Sequence, residues 1–123
     1  MTRIKHVLLL IETSKAYGRF LLNGIGRYAM THGRWSLFVE ERGLVDRQPK
    51  WLKDWSGDGI IFRGYHRQMV DAIKSTGLPA VETNNKVWDR DFPLLYPDDR
   101  EVARIAVEHF QQRQFQHFAF CPI

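Results

Sequence analysis

The chain has 123 residues, 44% of them hydrophobic and 13% aromatic, enough for one compact domain with its own core and too apolar for a disordered or low-complexity polymer. Its 18 Lys and Arg against 14 Asp and Glu leave a net charge of +4. The basic residues are scattered rather than gathered on one helix face, which reads as a solvated surface and argues against a nucleic-acid platform. Cys121 is the only cysteine, so there is no disulfide framework and no thiolate metal cluster; its apolar neighbours predict a small core residue.

Residues 7–11 are a continuous apolar run, as expected of a strand buried on both faces. The run is far too short for a signal core or a membrane span, so a cytoplasmic protein with no membrane partner is the expectation. A polar loop over 14–19 leads into a helix over 19–31, where Phe20, Leu21, Ile25, Tyr28 and Ala29 recur at helical spacing and Gly33 stands as the stop. A second strand covers 35–40. A charged loop over 41–48 precedes a short helix over 49–55, with Trp51 and Trp55 one turn apart.

Asp58 and Gly59 turn into a third strand over 60–62. A helix over 68–75 turns Met69, Val70 and Ile73 inward and ends at Gly77. Residues 79–81 open a fourth strand, and 94–96 make a fifth. Asp98 and Glu101 form a capping-box signature for a helix carrying Val102, Ile105, Ala106, Val107 and Phe110. The final run, from His117 to Ile123, alternates Phe118 and Phe120 with Ala119 and Cys121 and reads as a sixth strand. A core strand is normally followed by what covers it, so the sequence is expected to be the first lobe of a longer protein.

Strand and helix alternate throughout. That pattern predicts an α/β fold with a doubly wound, mostly parallel sheet in three α/β/α layers.

Open parallel sheets bind ligands beyond the carboxyl ends of their strands. Those loops hold Glu12, Thr13, Ser14, Lys15, Tyr17 and Arg19; then Arg63, Gly64, Tyr65 and His66; then Glu82, Thr83, Asn84, Asn85, Lys86 and Trp88; and finally Asp98 and Asp99. Amides, guanidinium groups and aromatic rings together suit a sugar, which needs paired hydrogen bonds to hydroxyls and a flat apolar face. Loops of any α/β domain are polar, however, and an N-cap role explains Asp98 completely.

Other chemistry is poorly supported. Gly24 and Gly26 fit G-x-G-x-x-A, but within a helix rather than at a strand exit, where a pyrophosphate would need them. They are expected to allow close helix packing. His6, His32, His66, His109 and His117 lack ligand spacing, so no metal is expected. There is no phosphate loop, no nucleophile elbow and no acidic receiver constellation, and neither an enzyme nor a cofactor is expected.

The segments Leu8-Leu-Leu-Ile-Glu-Thr-Ser-Lys-Ala-Tyr17, Gly24-Ile-Gly-Arg-Tyr28, Val39-Glu-Glu41, Trp51-Leu-Lys-Asp-Trp-Ser-Gly-Asp-Gly-Ile60, Leu78-Pro-Ala-Val81, Asp98 and Phe118-Ala-Phe120 carry a resemblance. The chain resembles the N-terminal lobe of the lac-repressor/periplasmic-binding-protein ligand domain, and more narrowly that of the bacterial xylose operon regulators. The loop 82–86 departs from the Gly-rich stretch of those regulators.

The resemblance implies that residues 1–123 are one lobe of a type I periplasmic-binding-protein-like domain. A pentose effector would lie between this lobe and a second one. A C-terminal helix-turn-helix module outside this chain would bind operator DNA, and the regulator would work as a homodimer. The effector contacts expected are Thr13, Tyr17, Arg19, Arg63, Asn84 and Asp98, with Tyr17 or Trp88 as a stacking face. Replacing Arg63 or Asn84 by Ala is expected to abolish binding while leaving the fold intact. The competing readings are a flavodoxin-like nucleotide or small-molecule binder and a periplasmic sugar carrier lobe.

Overall fold

The strand Lys5–Leu10 (β1) lies between two parallel neighbours, Trp35–Val39 (β2) and Gly59–Phe62 (β3), and Ala80–Glu82 (β4) joins β3 on its far side. The order is β2-β1-β3-β4. The structure, a computed structural model, describes residues 3–122. Met1, Thr2 and Ile123, the ends of the lead-in and of the expected sixth strand, lie outside the described residues.

The central position of β1 explains its unbroken apolar run, because each face meets a helix layer. Val7, Leu9 and Ile11 pack under Leu21, Leu22 and Ile25 of the helix Ala16–His32 (α1). Leu8 and Leu10, with Ile60 and Phe62, meet Met69, Val70 and Ile73 of the helix Arg67–Ser75 (α2) on the opposite face. Leu52, from a short 3-10 turn over Lys50–Asp54, completes that second core.

Most boundaries follow the sequence reading. Gly77 ends α2 with φ of +68°, the left-handed conformation that favours glycine. Three expectations change. The fifth strand reduces to a single bridge between Glu82 and Leu94, flanked by Glu82 N–H donating to Pro93 O and Leu95 N–H to Glu82 O, both at 2.9 Å. Gly24 and Gly26 do not mediate close packing, since a β-carbon at either would meet nothing within 4 Å. Residues 117–121 form no strand, and Cys121 is an exposed free thiol instead of a core residue. A strand exists by pairing its backbone N–H and C=O groups, and among the described residues this segment has no strand beside it.

The helix Asp99–Gln112 (α3) has no buried residue. The Asp98 carboxylate accepts the Glu101 N–H at 3.0 Å, as its N-cap signature predicts, while the Glu101 carboxylate turns to Arg104.

Candidate functional site at the strand carboxyl ends

After β1 the chain crosses to β2 through α1 on one face of the sheet, and after β3 it crosses to β4 through α2 on the other. The carboxyl ends of β1 and β3 therefore diverge, and the crevice between them is the topological switch point where open α/β sheets place ligands. Two residues past the end of β1 stands Glu12, and one past β3 stands Arg63.

These two form an ion pair, with Glu12 Oε1 accepting from the Arg63 guanidinium. The Glu12 side chain is 2% exposed and that of Arg63 16%. Arg63 is thus the part of the pair that reaches the surface. Its Cζ lies 4.3 Å from the ring centroid of Tyr17 and 5.5 Å from that of Tyr65. Lys86 Nζ stands 5.3 Å from the Tyr65 ring. Two tyrosine faces with a guanidinium and an ammonium between and beside them make a layered cation–π stack. Burial pushes the Tyr65 phenol above its ordinary pKa, against the opposing pull of Arg63. Tyr96 Oη donates to Asp99 Oδ2 at 2.9 Å, and that bond holds its proton more tightly than usual.

The other expected contact residues have their polar atoms engaged locally. The Thr13 N–H and hydroxyl both reach Arg42 O, at 3.0 and 3.3 Å, and Thr13 Oγ1 accepts the Arg42 N–H at 3.1 Å. Thr13 therefore latches the loop after β1 to the loop after β2. Arg19 donates to Thr13 O at 3.1 Å. Asn84 is buried and donates to Gly64 O at 2.6 Å, tying the β4 loop to the β3 loop. Trp88 is exposed and donates its indole N–H to Phe92 O at 3.0 Å. Asp98 caps α3.

Beneath this face lies a second carboxyl, which the sequence reading placed in the strand-end loop but left out of the contact set. Glu82 is fully buried in β4, and its Oε1 accepts the backbone N–H of Gly64 at 2.9 Å and of Asn84 at 3.1 Å. Burial raises its pKa above the ordinary glutamate value, with the N–H donors of Gly64 and Asn84 pulling the other way.

Glu12, Tyr65, Lys86 and Tyr96 were also left out of the contact set. Glu12 had a readable signal. Leu10 is in register with Phe62, so an acid just past β1 and a base just past β3 meet once those strands are adjacent.

Hollows also open away from this face. An apolar one of about 570 Å³ opens at the amino ends of the strands, between Lys5, Trp35, Gly59, Ala80 and Pro93, away from Arg63. Among the described residues no His, Cys, Asp and Glu cluster has the arrangement of a metal site, and no helix is long and apolar enough to cross a membrane.

Comparison with known proteins covers most of the chain. The chain is similar to the xylose operon regulatory protein of Escherichia coli strain K12, at 27% identity over 126 aligned positions that cover 97% of this chain and 31% of the relative. It is also similar to the xylose operon regulatory protein of Haemophilus influenzae, at 26% identity over 93% of this chain and 30% of that one. A solved structure of a xylose-binding transcription activator, XylR, superposes with a TM-score of 0.69 and 25% identity, over 97% of this chain and 30% of the other. The chain thus spans about a third of the length of these relatives. Residues 6–104, which include all of β1 but Lys5, β2 to β4 and Glu12 and Arg63, match the family described as the XylR N-terminal domain, and the chain belongs to that family.

Proposed function

We propose that the chain is the effector-sensing lobe of a bacterial transcription regulator that responds to xylose or a related sugar. The observation that carries the reading is Arg63, neutralised by Glu12 and laid over Tyr17, at the switch point of the sheet. Exposed rings at Tyr17 and Trp88 offer the apolar face of a pyranose a place to stack. The guanidinium edge offers donors to its hydroxyls. Glu12 also weighs against a nucleotide or flavin phosphate, because its carbonyl and side chain fill the space against Gly18 in the first turn of α1, where such a phosphate would sit.

In this reading the effector binds the closed arrangement of two lobes better than the open one, and the difference in affinity shifts the population between them. Operator DNA is bound by another part of the regulator, which acts as a cytoplasmic homodimer. Calorimetric titration of the chain, and of the longer gene product that contains it, with D-xylose, L-arabinose, D-ribose and D-glucose tests the proposal. Saturable binding of one pentose supports it. Absence of heat with every sugar, in both proteins, sinks it.

A further inference from the structure

We infer that Glu82 is a positioning residue for this face: its buried carboxyl replaces a backbone acceptor and fixes the two loops that carry Arg63, Tyr65 and Lys86. The inference rests on the reading of the face as an effector site.

Glu82 occupies a position that the sheet would ordinarily give to an apolar residue. It lies opposite Phe62 in the β3–β4 register and shares a sheet face with Ala80, over α2. A β-carbon at Gly64 would stand 3.1 Å from Glu82 Oε2, 3.2 Å from Val70 Cγ2 and 3.4 Å from Val87 Cγ2. The carboxyl is therefore enclosed by Gly64, by α2 and by the loop that follows β4.

Such a site penalises a carboxyl unless its hydrogen bonds compensate. Here Oε1 takes two backbone N–H groups, one from each loop, while Oε2 is buried without a partner. The two donors sit one residue past Arg63 and two residues before Lys86. Beyond the end of a strand the ladder no longer supplies partners for turn N–H groups, and one carboxylate oxygen here supplies both. Asn84 adds the reciprocal bond to Gly64 O, and Thr83 donates from both N–H and hydroxyl to Phe62 O at 2.9 Å. The β3 and β4 exits thus move as one piece, with Glu82 at its centre. Arg63, Lys86 and, on α2, Arg67, Asp71 and Lys74 are charged side chains of the surrounding segments, and the hydrogen bonds to the Glu82 carboxyl come from the backbone instead.

A residue serving only to fill the core is replaceable by Leu, which has similar bulk and removes the orphaned oxygen. Loop positioning needs the acceptor, which Gln retains and Leu lacks. The test compares wild type with Glu82→Leu, Glu82→Met and Glu82→Gln, reading amide hydrogen exchange at Gly64 and Asn84 and the D-xylose dissociation constant. In the Leu and Met variants both amides exchange about tenfold faster relative to Ile73, and xylose binds about tenfold more weakly, whereas Gln stays within about twofold of wild type. Wild-type exchange and affinity in Leu or Met overturns the inference, as does a Gln variant that behaves like Leu. If wild type binds none of the sugars, either as this chain or within a two-lobe protein that contains it, the effector reading fails instead, and the exchange rates still decide whether Glu82 holds the two loops.

Discussion

Gly18 faces Glu12 so closely that no side chain fits between them: a β-carbon at Gly18 would overlap the Glu12 carbonyl oxygen and stand 2.8 Å from the carboxyl carbon. The first turn of α1 is thereby pressed against the acid of the candidate site. Elsewhere in a helix Ala is favoured over Gly by about 1 kcal/mol. Here the overlap with backbone reverses the sign. Gly18→Ala is expected to destabilise the chain by about 1–3 kcal/mol, the range for overpacking a tight contact, read from the urea midpoint. An unchanged or raised midpoint shows that α1 can retreat from Glu12.

Removing Arg63 leaves the Glu12 carboxylate buried without its counter-charge. Arg63→Ala is therefore expected to cost about 2–3 kcal/mol of stability, somewhat below a fully buried pair because Arg63 is partly exposed. The variant is therefore expected to lose stability as well as ligand binding, where the sequence alone predicts an intact fold. Pairing it with Glu12→Gln in a double-mutant cycle is expected to give a coupling of about 1–3 kcal/mol. Additive losses would mean that the pair has no energetic content.

The parallel sheet with helices on both faces was legible because β1 reads as apolar throughout and Met69, Val70 and Ile73 recur at helical spacing; those signals are local. The site was legible only by its loops. Thr13 and Asn84 look like ligand contacts in sequence because a hydroxyl and an amide suit a sugar. Their partners, Arg42 O and Gly64 O, lie 29 and 20 residues away, and nothing local announces them. Glu82 was read only as a loop residue for a related reason: its role follows from the register with Phe62, which exists only once β3 and β4 pair. Segment 117–121 shows the opposite failure, since alternation alone marks a strand but supplies no neighbour to pair with it.

The raised pKa of Glu82 has a defined sign in stability. Between the ordinary glutamate value and its raised folded value, the native state holds a proton that the unfolded chain has lost. Stability contributed by this group is therefore greatest below the unfolded pKa and falls as pH rises through the folded one. Glu82→Gln lacks that titration, so its urea midpoint is expected to fall less than the wild type's between weakly acid and neutral pH. Parallel profiles would show that Glu82 titrates normally.

Asp89 has the opposite sign. Its carboxylate accepts the Asp91 N–H at 3.0 Å and pairs with Arg67 at 2.7 Å and Lys74 at 3.4 Å, fastening the loop that bears Lys86 and Trp88 to α2. The Asp91 N–H, followed by those cations, holds its pKa below the ordinary aspartate value. Its stabilisation is present above the unfolded pKa and is lost as pH falls through the folded one. Asp89→Asn is expected to lower the thermal midpoint at neutral pH, with the gap to wild type closing in strong acid and narrowing at high salt. A gap independent of both pH and salt would assign the loss to geometry instead of charge.

Ile73 and Ile105 are both helical isoleucines at apolar positions, yet the chain treats them differently. Ile73 is fully buried between α2 and the sheet, whereas Ile105 is exposed on α3, a helix with no buried residue. Ile73→Ala deletes core volume that its neighbours cannot refill and is expected to cost about 2–5 kcal/mol. Ile105→Ala removes side-chain atoms that water already reaches, and Ala favours the helix, so its effect is expected within about 0.5 kcal/mol. Thermal melts of the two variants decide the matter. A loss at Ile105 comparable to that at Ile73 would show that α3 packs on the lobe in solution, and the fold would then have a covered face where the structure has an open one.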